Sequence, residues 1–259
     1  MENKEIDGGK PFDWGRTSAD YAKFRDIYPR EFYEKIADRG LCTNGQRVLD
    51  LGTGTGVLPR NMCSYGAKWT GVDISENQIE QARILSSGMD IDYLVSPAEE
   101  LSFPDVSFDV ITACQCFWYF DHKKIVSNLK RMLKPDGRLL LLCMNWLPFE
   151  DKIAGASEEL VLKYSPDWSG AGETVRPIDI PKCYFESFEL VYHEEYRLPV
   201  RFTRDTWNGR IKACRGVGAS LTEEETARWE AEHKRLLEEI APEDFDILHY
   251  AAMAELKVK

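Results

Sequence analysis

The sequence predicts an α/β protein wound on both faces of a parallel sheet, and three observations carry that prediction. From residue 47 to 145, short apolar runs alternate with helical patterns at the spacing of βαβ units. "VLDLGTGTG" at 48–56 sets Gly52, Gly54 and Gly56 directly after a buried-strand pattern. Glycine in that place supplies positive φ or lets a ligand approach the backbone. Asp73 ends the second apolar run, where an acid accepts hydrogen bonds from ribose hydroxyls.

The elements follow in order. Residues 11–40 carry Phe12, Trp14, Tyr21, Phe24 and Tyr28. Thr17 and Asp20 fit a capping box there, and Tyr21, Phe24 and Tyr28 then share one helical face. Strands are expected at "RVLDL" (47–51), "KWTGVDI" (68–74), "IDYLV" (91–95), "FDVITAC" (108–114) and "RLLLLCM" (138–144). Ser75 with Gln78 forms a capping box for the helix after the second strand. "KPDG" (134–137) reads as a turn that ends a helix and launches the fifth strand. Residues 147–222, punctuated by proline and "SGAGE", read as an insertion, with "ESFELVYHEEYRLPV" (186–200) as a strand. A long amphipathic helix over 222–240 is capped by Thr222 and Glu225, and 247–258 reads as a final edge strand.

Bulk properties exclude several classes. At 259 residues the chain is one large domain or a domain with a cap. No apolar run reaches the ~20 residues of a membrane span. The polar N-terminus lacks an apolar signal core, so a cytoplasmic location is expected, with neither secretion nor anchoring. A net charge of −11 argues against tracking a nucleic-acid backbone. The 7 cysteines are odd in number and scattered, which suits neither a disulfide framework nor a zinc cluster. His122, His193, His233 and His249 lack ligand spacing, so no metal is expected.

The glycine pattern is D-x-G-x-G-x-G. A dinucleotide fingerprint fails because Val57 stands where its third glycine belongs, and no phosphate loop is present. A helix beginning near Thr55 is expected to aim its N-terminal amides above the sheet edge. Asp50 and Asp73 offer one carboxylate to a sugar and another to a charged tail, with no cation for phosphates. That combination suits a nucleoside bearing an amino acid.

On these residues, 45–145 resembles the class I S-adenosylmethionine-dependent methyltransferases, methyltransferase type 11. "VLDLGTGTG" resembles the family's first motif and "GVDIS" its acidic second motif. "SPAEELSFPDVSFDVI" resembles the segment beside the adenine, and "LKRMLKPDGRLLL" the approach to strand five. Asp136 departs from the family's usual second glycine. "CQCFWYFDHKK" with "FDWGRTSADYAKFRDIYP" resembles the trans-aconitate methyltransferase-like branch, except that Trp118 replaces its histidine.

The resemblance implies a Rossmann-like, seven-stranded, mostly parallel sheet with an antiparallel final strand, an N-terminal helical lid and a helical insertion after strand five. The corresponding segments are a lid at 1–40, a cofactor-binding core at 41–146, an insertion or substrate cap holding strand six at 147–222, and a C-terminal helix and strand at 223–259. It implies S-adenosylmethionine as cofactor, with S-adenosylhomocysteine as product. Asp50, Gly52, Thr53 and Gly54 would border its methionine portion, and Gln115 would face either that portion or the acceptor. Asp73 would take the ribose and Ile74 the adenine face, with Gln78, Ala98 and Glu99 completing the set.

For the acceptor, Tyr21, Arg25, Trp118, Arg210 and Arg215 are candidates, and Trp118, Tyr119 and Tyr21 are those nearest the chemistry. The alternatives stay open. The helix carrying Tyr21 and Arg25 can pack as a plain amphipathic helix. The Arg204–Arg215 cluster can be a solvated face, and Trp118 and Tyr119 can fill core. O-methylation of a small carboxylate or phenol is expected, because neither ion needs a general base. The rivals are C- or N-methylation of a larger apolar metabolite and a non-catalytic cofactor-binding module.

Overall fold

The computed structural model describes residues 6–10, 12, 13, 16 and 22–259; Trp14, Thr17, Asp20 and Tyr21 lie outside them. Strands β1 (Arg47–Leu51), β2 (Lys68–Asp73), β3 (Ile91–Val95) and β4 (Phe108–Cys114) pair in parallel, with Val48 opposite both Trp69 and Val110 and Trp69 opposite Ile91. With β5 (Leu133–Trp146), β6 (Phe188–Thr203) and β7 (Asp244–Val258), the order across the sheet is β3-β2-β1-β4-β5-β7-β6. The chain moves outward from β1 through β2 to β3, then returns to β4. The C-terminal ends of β1 and β4 are therefore the switch point where open α/β sheets bind ligands.

Helices α1 (Arg30–Asp38), α2 (Val57–Met62), α3 (Glu76–Leu85), α4 (His122–Met132), α5 (Lys152–Tyr164), α6 (Arg204–Lys212) and α7 (Glu223–Ile240) complete the fold. Their starts follow local chemistry. Asp151 accepts the Ile153 and Ala154 amides at α5, and Thr222 and Glu225 cap α7 reciprocally. At α3, Ser75 accepts the Gln78 amide.

The structure changes four expectations. The 247–258 run is not an edge: β7 lies between β5 and β6, and its residues from His249 to Glu255 are buried without a break. Its alanines fit that position because small side chains let layers close on both faces. "KPDG" lies inside β5, as an irregularity where the β4 register jumps from Phe108↔Leu133 to Val110↔Arg138. The helix after the glycines starts at Val57 rather than Thr55. Near the N-terminus, residues 22–24 are helical but 25–29 are not, so Arg25 and Tyr28 fall outside the expected helical face. Pro29 disfavours the helical region for Tyr28.

Side-chain pairs give the sense of β7. Arg138 meets Glu255 and Lys257 meets Asp136, so residue numbers run in opposite directions and β5 and β7 are antiparallel. The Lys259 amide on the Ser187 carbonyl gives the same sense for β6.

Two compact units form. One comprises Met1–Ile27, Asn145–Val175 and Arg197–Tyr250; the other comprises Tyr28–Met144, Arg176–Tyr196 and Ala251–Lys259. The second, here the sheet unit, holds β1–β4 and a core around Leu49, Ile111, Leu139 and Phe188. In the first, the helical unit, His233 Nδ1 bonds Asn208 Oδ1 (2.9 Å) and Nε2 bonds Ser157 Oγ (3.0 Å). Trp207 Nε1 donates to the same Ser157 oxygen at 2.9 Å, so α5, α6 and α7 meet on one serine. Among the described residues, no helix is long and apolar enough to cross a membrane.

Candidate active site

The loop after β1 is built from three glycines with φ of 59°, 57° and 74° at positions 52, 54 and 56. Packing accounts for two of them. A Cβ on Gly52 would lie 2.7 Å from Cys116 Cβ, and one on Gly56 would collide with the Tyr93 ring. The loop's amides are largely used within the fold. Thr53 N–H donates to the Val72 carbonyl, Gly56 N–H to the Thr53 carbonyl, and Gly54 N–H to Asp73 Oδ2, each at 2.9 Å. Three loop amides are thus spent within the fold, and α2 begins at Val57, two residues beyond the expected start.

Asp73 is the organiser. Its Oδ2 accepts from Gly54 and its Oδ1 from the Ser75 amide (2.9 Å). Burial raises its pKa against the pull of these amides. Beside it Ile74 is 55% exposed, an aliphatic side chain displayed at the ligand edge of the sheet.

Asp50, by contrast, is 2% exposed and accepts from Thr112 Oγ1 at 2.6 Å. Burial pushes its carboxyl up to about 7, opposed by the threonine bond and reinforced by the nearby Asp73 charge. Thr53 and Gln78 are also buried. All three thus lie inside the protein, unlike the exposed Ile74.

Past β3, Ala98–Glu100 forms a 3-10 turn with Ala98 buried. Glu99 Oε1 accepts the Asp121 amide (2.9 Å), fastening this turn to the start of α4. After β4 the chain passes through Gln115 at φ 61°, a left-handed conformation that costs about 1–3 kcal/mol for a non-glycine residue and concentrates at functional sites. It is held by the Gln115 amide on the Leu142 carbonyl and by the side-chain Nε2 on the Met144 carbonyl. The next turn, Phe117–Tyr119, exposes Trp118 by 45%, its ring tilted against Tyr119 at 5.8 Å.

The sheet unit thus gathers Asp50, Gly52, Thr53, Gly54, Asp73, Ile74, Gln78, Ala98, Glu99, Gln115, Trp118 and Tyr119 on elements that end at one sheet edge. The basic cluster behaves otherwise. Arg215 is buried and bound to Asp7 (2.6 and 3.0 Å) and Ser169 Oγ (2.9 Å), so its charge is already neutralised. Arg204 donates to the Ala241 carbonyl, and Lys212 pairs with Glu230 at 2.8 Å. Arg210 is buried with its guanidinium 4.9 Å over the Trp146 ring. Burial and the fields of Arg210 and Arg25 push His249 down to about 3. The four cations do not form a single anion-binding face.

Sequence reasoning missed Cys116 as a contact of the glycine loop: its Sγ donates to the Leu51 carbonyl at 3.0 Å. It also missed Tyr93 behind Gly56, and His122 and Tyr184 beside Phe117.

Comparison with known proteins agrees with this architecture. A family model described as a methyltransferase domain matches residues 49–141. A ubiquinone biosynthesis O-methyltransferase of Neisseria meningitidis is 31% identical over 165 residues, covering 60% of this chain and 68% of that protein. A protein of the same name from Pseudomonas entomophila is 30% identical over 158 residues, covering 59% and 67%. A solved structure from Bacillus halodurans C-125, designated a methyltransferase, aligns with TM-score 0.53 at 16% identity over 88% of this chain and 98% of that one. The YcgJ protein of Bacillus subtilis aligns with TM-score 0.51 at 20% identity over 89% and 99%. These two support the fold alone. The matched domain runs from β1 into β5, and the relatives align across two thirds of their own length; on that ground the chain belongs to the class I S-adenosylmethionine-dependent methyltransferases, enzymes that draw the methyl group from S-adenosylmethionine.

Proposed function

We propose that this enzyme methylates an oxygen of a small-molecule acceptor, a phenol or a carboxylate. The observation that carries the reading is the relatives' shared designation as O-methyltransferases. Trp118 and Tyr119, two aromatic rings on the turn after β4, suit an aromatic acceptor.

The sheet-edge residues suit the methyl donor. Asp73 would accept the ribose hydroxyls, Ile74 would lie on the adenine face, and Ala98 and Glu99 would border the adenine edge. Gly52, Gly54 and Gln115 would border the methionine portion, with Asp50, Thr53 and Gln78 supporting the loop from inside. When bound, S-adenosylmethionine supplies an electrophilic methyl on a sulfonium, so the chain need not create an electrophile. Its residues orient the partners and exclude water, and orientation contributes about 7–11 kcal/mol in well-held systems. Arg215 drops out of the acceptor set because Asp7 neutralises it.

The two acceptor types separate by pH. A carboxylate is ionised above about pH 5, so its turnover is flat to pH 9. A phenol with a pKa of about 10 gains ionised fraction throughout that range, and kcat/KM rises with pH. The test is labelled S-adenosylmethionine with a panel of phenols, carboxylates, amines and carbon acids. Transfer to amines or carbons with none to any oxygen overturns the proposal.

A further inference from the structure

The Phe117–Tyr119 turn is too short to hold itself. It has two backbone bonds of its own, Tyr119 N–H to the Cys116 carbonyl (3.0 Å) and Phe120 N–H to the Phe117 carbonyl (3.4 Å). The chain also enters it through left-handed Gln115. Side-chain contacts on both sides help keep it in place. On one side Cys116 donates to the Leu51 carbonyl and fills the space beside Gly52. On the other, the Phe117 ring lies 4.7 Å from His122 and 5.3 Å from Tyr184, and His122 Nδ1 and the Tyr184 hydroxyl are 3.2 Å apart.

Tyr184 is fully buried on the Lys182–Glu186 turn that leads into β6, with Phe188 6.1 Å from its ring. Burial raises the phenol and lowers the half-buried imidazole, so both are neutral near pH 7. A phenylalanine would fill this apolar site with no polar group to satisfy, and a buried hydroxyl is costly unless bonded. The fold spends that bond on the residue just past the aromatic turn.

We propose that His122 and Tyr184 are positioning residues for methyl transfer, and that their hydrogen bond, with Phe117 beside it, holds Trp118 and Tyr119 next to the glycine loop. The inference rests on the proposed role of Trp118 and Tyr119 at the acceptor. It assigns the 182–186 segment to the reaction through Tyr184, by way of Phe117 and His122.

Three readouts on wild type, Tyr184→Phe, His122→Leu and His122→Gln test it. Calorimetric affinity for S-adenosylhomocysteine should stay within about twofold of wild type, because the Asp73–Gly54 bond is untouched. Amide exchange at Tyr119 and Phe120 should quicken about tenfold in Tyr184→Phe and His122→Leu, the scale of one lost hydrogen bond. With any oxygen acceptor the enzyme accepts, kcat should fall about tenfold at unchanged cofactor KM. His122→Gln, which can still bond the phenol, should recover part of both. Wild-type exchange and turnover in Tyr184→Phe and His122→Leu overturns the proposal, as does a loss of S-adenosylhomocysteine affinity equal to the loss in kcat. If wild type methylates no oxygen, the acceptor reading fails, while the exchange arm still decides whether this pair holds the turn. Should Tyr184→Phe not fold, His122→Leu at its half-buried position carries the same test.

Discussion

At Gly52 two constraints coincide: a φ of 59° that disfavours any side chain, and Cys116 occupying the space that one would need. Gly40 separates the two, since its φ is 70° but nothing lies within 4 Å of a Cβ there. Gly52→Ala should cost about 2–4 kcal/mol, strain plus overpacking, and weaken S-adenosylhomocysteine binding. Gly40→Ala should cost about 1 kcal/mol and leave binding alone. Thermal melts and calorimetry on both variants check this; equal losses would show that Cys116 does not constrain the loop. The glycines and Asp73 are legible in sequence because backbone conformation and strand-end position are local properties. Cys116 on Leu51 and His122 on Tyr184 are not, because separations of 65 and 62 residues leave no periodic trace.

Among the elements, the parallel strands are readable from their apolar runs, and β7 misleads for a physical reason. An alanine-rich strand looks weak by propensity, yet in the sheet interior small side chains are an asset and burial overrides propensity. Its position also depends on a charge invisible as such in the sequence. Glu255, 4% exposed in β7, accepts from Arg39 (3.0 and 2.7 Å) and from Arg138 in β5 (2.8 Å). Glu255→Gln keeps the volume but leaves two arginines facing a neutral amide. It should destabilise by about 2–3 kcal/mol, the scale of a lost charged hydrogen bond, with part of the loss recovered in Arg39→Met/Glu255→Gln. Denaturant titrations check this, and a loss under 0.5 kcal/mol would mean that the arginines find water readily. In the N-terminal aromatic series, Pro29 restricts Tyr28 and takes it out of the helical pattern that the spacing alone predicts.

At the scale of the whole molecule, buried groups in the two units respond to acid in opposite directions. Asp50 in the sheet unit has a carboxyl raised to about 7 by burial. Its native state therefore holds a proton that the unfolded chain releases above about pH 4. The stability it contributes is complete below that value and is lost as pH climbs through 7. His233 and His249 in the helical unit are lowered to about 3 by burial. Their native forms stay neutral while the unfolded chain protonates below about pH 6.5, so stability is lost as pH falls from there towards 3. Between pH 4 and 6.5 acidification should thus strengthen the contribution of Asp50 and weaken those of His233 and His249. Against wild type, Asp50→Asn should gain relative stability as pH rises from 5 to 8. His249→Gln should gain it as pH falls from 7 to 4.5. Amide exchange corrected for intrinsic rates should show protection in the helical unit falling first on acidification, at peptides from α5, α6 and α7, where Ser157, Asn208 and His233 meet. Relative stabilities of the two variants that move with pH in the same direction would show that one of these groups is not neutral in the native protein.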